Sequence, residues 1–387
     1  MPGYFDNFPN RRPTNSVKWK AFDEDVLPMW VADMDFLSPP AVIEALQQRV
    51  AHGIFGYTYE PQELRELIVE RLDRLYQWKV QPEAIVFMPG VINGFNLACR
   101  MISLQNPDSQ VIVQPPVYPP FLVAAEHNGL QRLDIPLVDD GHGYYEIDFQ
   151  AFEAALNPVA RLFILCNPHN PVGRVFTQEE LTRLAEICLR HNITICSDEI
   201  HCDLIFSSQR HIPIASLTPE IANQTITLMA PSKTFNIAGL ESSYAIIPNP
   251  EMRAAYQKAK AGLNGHINLL GVSATIAAYR DGQEWLTELL TYLESNRDLL
   301  ANFVNQNLPG LKMASPQGTY LAWIDCRESN IPGNPQKFFL DQARVALNHG
   351  VDFGLGGEGF VRLNFGCPRN LLEEGLQRMR AALLEID

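Results

Sequence analysis

The chain has 387 residues, 46% of them hydrophobic, enough to bury a large core and to form two domains. Thirty Lys and Arg stand against 44 Asp and Glu, a net charge of −14, which argues against a nucleic-acid-binding surface and fits a soluble protein. Seven cysteines (Cys99, Cys166, Cys188, Cys196, Cys202, Cys326 and Cys367) lie mostly in apolar patterns with no CxxC pair, so they read as reduced, buried thiols of a cytoplasmic protein. The first residues carry no apolar signal-peptide core, and no apolar run is long enough to span a bilayer.

Residues 1–37 read as irregular. In Trp30-Val31-Ala32-Asp33-Met34-Asp35-Phe36 apolar residues alternate with acids, which suggests an arm pinned to the core by Trp30, Met34 and Phe36. Ser38-Pro39-Pro40 starts a helix over 41–50 that ends at Gly53. Gly56-Tyr57-Thr58-Tyr59 is a turn with exposed aromatics, and Pro61 opens a helix with its apolar stripe on Leu64, Leu67, Ile68, Leu72 and Leu75. From Ala84 the pattern becomes strand, turn, helix, repeated. Strands are expected over 84–88, 111–114, 162–166, 193–196, 225–229 and 243–247. Asp148 caps one intervening helix, and Thr177-Gln178-Glu179-Glu180 is a capping box opening another.

Continuous apolar strands between amphipathic helices predict an α/β fold with a mostly parallel sheet covered on both faces. The large domain is placed at 46–285, after an N-terminal arm and joining helix at 1–45. A small α+β domain at 286–387 is expected to hold helices over 285–305, 335–349 and 371–385 and strands over 320–324 and 359–365.

The strand ends carry the chemistry. Gly90-Val91-Ile92-Asn93-Gly94 follows a strand and opens a helix, where free N–H groups and the helix dipole suit an anion. Tyr118, held between prolines, offers a ring to a flat ligand. Asn170 lies in the turn Asn167-Pro168-His169-Asn170-Pro171-Val172-Gly173 and offers an amide. Asp198 and Glu199 end an apolar strand, a costly place for acids unless one meets a positive partner. Lys233 follows the strand at 225–229. A desolvated amine loses its proton readily and becomes a nucleophile toward carbonyls.

Taken singly, each has an ordinary explanation: a tight turn, a packed ring, a polar loop. Five such groups on one edge of a sheet, where open α/β folds bind ligands, point to one site. Together they match a phosphate, an aromatic ring with a basic nitrogen, a phenolate oxygen and an aldehyde, which describes pyridoxal 5′-phosphate. Lys233 would bond to the aldehyde, and Asp198 would keep the ring nitrogen protonated so that the ring draws electrons. His201-Cys202-Asp203 is not read as a metal site, because strand register sends neighbours to opposite faces.

With Asn170-Pro171-x-Gly173, Asp198 and Ser232-Lys233, the sequence resembles fold-type I pyridoxal-phosphate enzymes of the class I/II aminotransferase superfamily. Within it, the chain is most similar to the MalY/PatB-like cystathionine β-lyase (C–S lyase) group. Trp30-x-Ala32-Asp33-Met34-Asp35-Phe36, Phe55-Gly56-Tyr57-Thr58, Pro116-Val117-Tyr118-Pro119-Pro120-Phe121, Ser197-Asp198-Glu199-Ile200-His201, the stretch from Ser232 to Leu240, and Val361-Arg362-Leu363-Asn364 carry that likeness over nearly the whole chain.

The resemblance implies a large domain with a mostly parallel, seven-stranded sheet. Tyr118 would stack on the cofactor ring, with Ile200 on its other face. Asn170 would bind the ring oxygen, with His201 nearby where many relatives have tyrosine. Gly90, Val91, Ile92 and Ser232 would hold the phosphate. Tyr57 would reach the phosphate of a neighbouring subunit's cofactor, which implies a homodimer with shared sites. Arg362 would grip the substrate α-carboxylate, with Ala32, Asn170 and Tyr57 also near the substrate.

One position departs from the pattern: where many relatives carry Arg or Lys eight residues after the lysine, this chain has Glu241. The implied reaction is β-elimination from an amino acid with sulfur on Cβ, Lys233 removing the Cα proton. An aminotransferase is the first alternative, and an additional regulatory, protein-binding role the second.

Overall fold

The computed structural model describes residues 3–263 and 266–386. Its centre is a seven-stranded sheet: β1 (Ile85–Met88), β2 (Gln110–Val113), β3 (Gln131–Asp134), β4 (Ala160–Cys166), β5 (Thr194–Asp198), β6 (Thr225–Met229) and β7 (Ser243–Ile246). The order is β1-β7-β6-β5-β4-β2-β3, and only β7 runs antiparallel to its neighbours.

Six of these strands fall where the apolar runs predicted them, because β1, β6 and β7 are buried along their whole length and β4 and β5 nearly so. The edge strand β3 was not expected. Its residues Gln-Arg-Leu-Asp are exposed or half-buried, so no apolar pattern marks it.

Side chains alternate between the two faces with the period of two that a strand imposes. Leu162 and Ile164 join α3 (Val91–Gln105), α4 (Pro119–His127) and Tyr256 of α6 (Pro250–Lys260) on one face. Phe163 and Leu165 meet Leu181, Leu184 and Cys188 of α5 (Gln178–Arg190) on the other. Helix α3 lies so close to the sheet that a Cβ at Gly94 would sit 2.8 Å from Leu228 and 2.9 Å from Met88 Sδ. The Thr177–Glu180 capping box and the Asp148 cap both form. All seven cysteines are buried and unpaired. No helix among the described residues is long and apolar enough to cross a membrane.

After a single helical turn at Val17–Lys20, α1 (Pro40–Ala51) and α2 (Gln62–Tyr76) pack on α7 (Leu269–Asp281). The C-terminal region contains α8 (Gln283–Asn307), α9 (Arg369–Leu383) and an antiparallel sheet of β8 (Leu321–Asp325), β9 (Asn348–His349) and β10 (Phe360–Asn364) in the order β8-β10-β9.

The helix expected over 335–349 does not form. Only Pro335–Phe338 is α-helical; a single π turn, Phe339–Ala343, follows and stops at Arg344, whose φ is +55°. Val345-Ala346 then pairs in parallel with Leu27-Pro28 of the N-terminal arm. The apolar run 345–347 imitates a helical stripe, but its partner is a distant strand that local sequence does not reveal.

The arm is fastened by its acids as well as by its apolar residues. The buried Asp35 accepts from Lys18 Nζ (2.7 Å), Trp19 Nε1 (2.8 Å) and Arg11 Nη1 (2.7 Å). Met34 and Phe36 are buried as expected, whereas Trp30 is only half-buried. Breaking a buried pair leaves a desolvated charge, so Asp35→Ala should lower stability by roughly 3 kcal/mol in urea unfolding, because Lys18 stays in the core.

Candidate active site

A cavity of about 470 Å³ opens at the carboxyl edge of the sheet. It collects the ends of β1, β2, β4, β5 and β6, together with Arg362 of β10 and Ala32 of the arm. Of the residues expected there, Gly90, Val91, Ile92, Tyr118, Asn170, Asp198, Ile200, His201, Ser232, Lys233, Ala32 and Arg362 all line it, and so does Glu241. Tyr57 does not. It is fully exposed, on a separate surface hollow with Phe55 and residues 266–270.

At one end Gly90, with φ +91°, turns the chain from β1 into α3, a conformation that favours glycine. No side chain caps α3, so its first-turn N–H groups are available beside Ser232.

At the centre, Asp198 is buried and accepts a hydrogen bond from the Ile200 N–H at 3.1 Å. Burial, with a smaller push from Glu199, raises its pKa to about 7. Glu199, on the opposite face, is met by Ser197 Oγ and His211 Nε2, both at 2.8 Å. So the acid that finds an intramolecular partner is Glu199, and Asp198 is left facing the cavity.

Lys233 Nζ donates to the Ala32 carbonyl at 2.7 Å. Burial, then the charge of Arg362, lowers its pKa to about 8 against the opposing pull of Asp33 and Asp198. The next residue, Thr234, donates to Asp203 Oδ2 at 3.0 Å, and Arg71 of α2 pairs with Asp203 Oδ1 at 2.5 Å. The lysine loop is thereby tied to α2. His201 is buried, and desolvation with the charges of Lys233 and Arg362 lowers its pKa to about 3, so its imidazole is neutral. Its Nδ1 has no hydrogen-bond partner among the described residues.

Arg362 is buried across the cavity. Nη1 donates to Asn170 Oδ1 at 2.9 Å; Nη2 donates to Trp30 O at 3.0 Å and Asn348 Oδ1 at 2.6 Å. Burial lowers its pKa to about 10, which leaves it charged at neutral pH. Among the described residues it has no acidic partner, and its Nε is unsatisfied.

Sequence reading missed Asn348, hidden by the false helix, and Tyr320, whose strand showed only an apolar pattern. It also missed the role of Asn236, which bonds the arm backbone at Met34 and Phe36.

Known proteins bear on this geometry. The family model for aminotransferase class I and II matches residues 24–379. Cystathionine β-lyase PatB of Bacillus subtilis is 44% identical over 98% of this chain and 99% of the relative. A pyridoxal-phosphate-bound C–S lyase of Staphylococcus hominis, in complex with L-cycloserine, superposes with a TM-score of 0.91 at 36% identity, covering 98% of this chain and 99% of that one. A pyridoxal-phosphate-bound putative aminotransferase of Clostridium difficile gives 0.94 at 40% identity, with 98% and 99% covered. The chain belongs to the class I and II aminotransferases, in their MalY/PatB-like branch. Pyridoxal 5′-phosphate is the cofactor of this MalY/PatB-like protein.

The residues fit that group. Asp198 is a buried carboxylate in no ion pair among the described residues, and a protonated ring nitrogen would supply the missing cation. The uncapped start of α3 suits the phosphate. At the same end Glu241 is exposed, in a left-handed cap with φ +49°, and its carboxylate bonds to none of the described residues. This phosphate end therefore offers neutral donors beside one negative charge.

Two outcomes follow. Because folding raises the Asp198 pKa from 3.8 to about 7, the cofactor-free protein loses stability as pH rises from about 4 to 7. Asp198→Asn should raise its melting temperature at pH 8 without cofactor and remove most of the gain on adding pyridoxal 5′-phosphate, read by thermal unfolding. Glu241→Gln should tighten cofactor binding about 2–5-fold at low salt, less at high salt, in an absorbance titration.

Proposed function

We propose that this protein is a C–S β-lyase that cleaves the Cβ–S bond of an L-cysteine-derived amino acid such as cystathionine, a cysteine conjugate or a cysteine sulfoxide. The observation that carries the reading is Arg362, a buried guanidinium without an acid, in one cavity with an amine of lowered pKa. The names printed for PatB and for the S. hominis enzyme support the same chemistry.

When bound, the cofactor provides an electron sink for the pair left at Cα. Arg362, braced by Asn170 and Asn348, orients the substrate carboxylate through a planar fork. Lys233 takes the Cα proton on Nζ, which at pH above about 8 is mostly neutral. Asp198 would hold the protonated ring nitrogen, whose positive charge would keep the carboxylate ionised. Tyr118 and Ile200, which line the cavity, would flank the ring and limit water. The sulfur leaves Cβ with its bonding pair as a thiol or, from a sulfoxide, a sulfenate. With one water the remaining three-carbon fragment and its amino nitrogen become pyruvate and ammonia.

A homodimer belongs to this reading. Ile54, Phe55, Tyr57 and Tyr59 are all exposed, and a second copy's Tyr57 would supply a further donor to the phosphate end. A reducing, cytoplasmic setting suits the seven buried thiols.

The test is incubation with L-cystathionine, S-alkyl-cysteine and its S-oxide, with pyruvate measured in the absence of any keto acid. Pyruvate is expected, on a rate that climbs with pH to a plateau above about 8 as Lys233 loses its proton. Lys233→Ala should cut that rate on the order of 10³-fold. Transamination on adding a keto acid, with no pyruvate before it, would establish the aminotransferase reading instead.

A further inference from the structure

We propose that Tyr320 is a positioning residue for Lys233, acting through the Ala32 carbonyl on which both side chains converge. The inference rests on the reading of Lys233 as the base. Tyr320 lies immediately before β8 and is buried. Its hydroxyl donates to Ala32 O at 2.8 Å, and Lys233 Nζ donates to the same oxygen at 2.7 Å. A carbonyl oxygen has two lone pairs, so the two donors fill it.

That oxygen cannot shift to favour one donor, because the chain on either side of it is fixed. Asn364 Nδ2 donates to Val31 O at 2.5 Å and to Asp33 O at 2.7 Å, and Arg362 holds Trp30 O. The Tyr320 ring is itself set edge-on against His201, with centroids 5.9 Å apart. Phenol, carbonyl and amine therefore form a rigid chain of contacts across three segments distant in sequence.

Two consequences follow. With one N–H anchored on Ala32 O, the amine holds a fixed orientation when it is free. And a carbonyl that already accepts from a phenol is a weaker acceptor for an ammonium, so the Tyr320 hydroxyl favours the neutral amine. The other groups facing Lys233 are Arg362, which also favours the neutral amine, and Asp33 and Asp198, which oppose it. His201 is neutral at working pH, and Tyr118 is a protonated phenol because burial raises its pKa.

Tyr320→Phe keeps the ring against His201 and removes only the hydroxyl. Lys233 then has the carbonyl to itself, its ammonium gains, and its deprotonation moves to higher pH. Full-length protein freed of cofactor is mixed with pyridoxal 5′-phosphate from pH 6 to 10, and the rate of uptake is followed by absorbance. In the wild type the rate should rise with a midpoint near pH 8. In Y320F the midpoint should move up by about 0.5–1 pH unit, the worth of one hydrogen bond. In the lyase assay at pH 7.5, kcat should fall about 3–10-fold with KM within about twofold.

An unmoved midpoint in folded Y320F reduces Tyr320 to packing and overturns the proposal, as does a raised KM with unchanged kcat. A wild-type midpoint above pH 10 overturns it without any variant. If the midpoint moves but neither protein makes pyruvate, the positioning role stands and the lyase reading falls.

Discussion

Three ionisable groups, Asp198, Lys233 and Arg362, meet in one cavity, and each hydrogen-bonds to neutral partners rather than to another of the three. Desolvating charges without pairing them costs several kcal/mol each, and a fold keeps such groups only where something else will neutralise them. The pKa values near 7, 8 and 10 register that cost, with the acid raised and both bases lowered. Most of the surrounding architecture restrains these groups. Parallel strands end together at one edge, and the Arg71–Asp203–Thr234 chain ties the lysine loop to α2.

The arm at 30–36 is the part of the site that belongs to neither sheet. Asn236 fastens it on the lysine side, and Asn364 and Arg362 on the other. Its own acids are consumed in holding it: Asp35 by Lys18, Trp19 and Arg11, and Asp33 by Arg11. A segment without regular structure thereby reaches the precision of a strand, and its carbonyls become usable parts of the active site.

Much of this was legible in the sequence. Apolar strands buried on both faces announce themselves without context, and chemistry-bearing residues just past them mark a binding edge. That is why Asp198 and Lys233 stood out. Contacts made by segments far apart in the chain were not legible. Val345-Ala346 reads as helix until Leu27-Pro28 is placed beside it, and Asn348 was lost with it. Edge strand β3 has no apolar face to read, and Tyr320 looks like any core residue until the arm arrives at its hydroxyl. Tyr57 lies outside the cavity, fully exposed, and nothing in its local sequence marks that separation.

Asp198 also bears on the stability of the folded protein. A protein whose cofactor-free form carries an unpaired buried carboxylate is less stable until the cofactor arrives, and binding restores the deficit by mass action. The same carboxylate thus couples the stability of the folded protein to the binding of its cofactor.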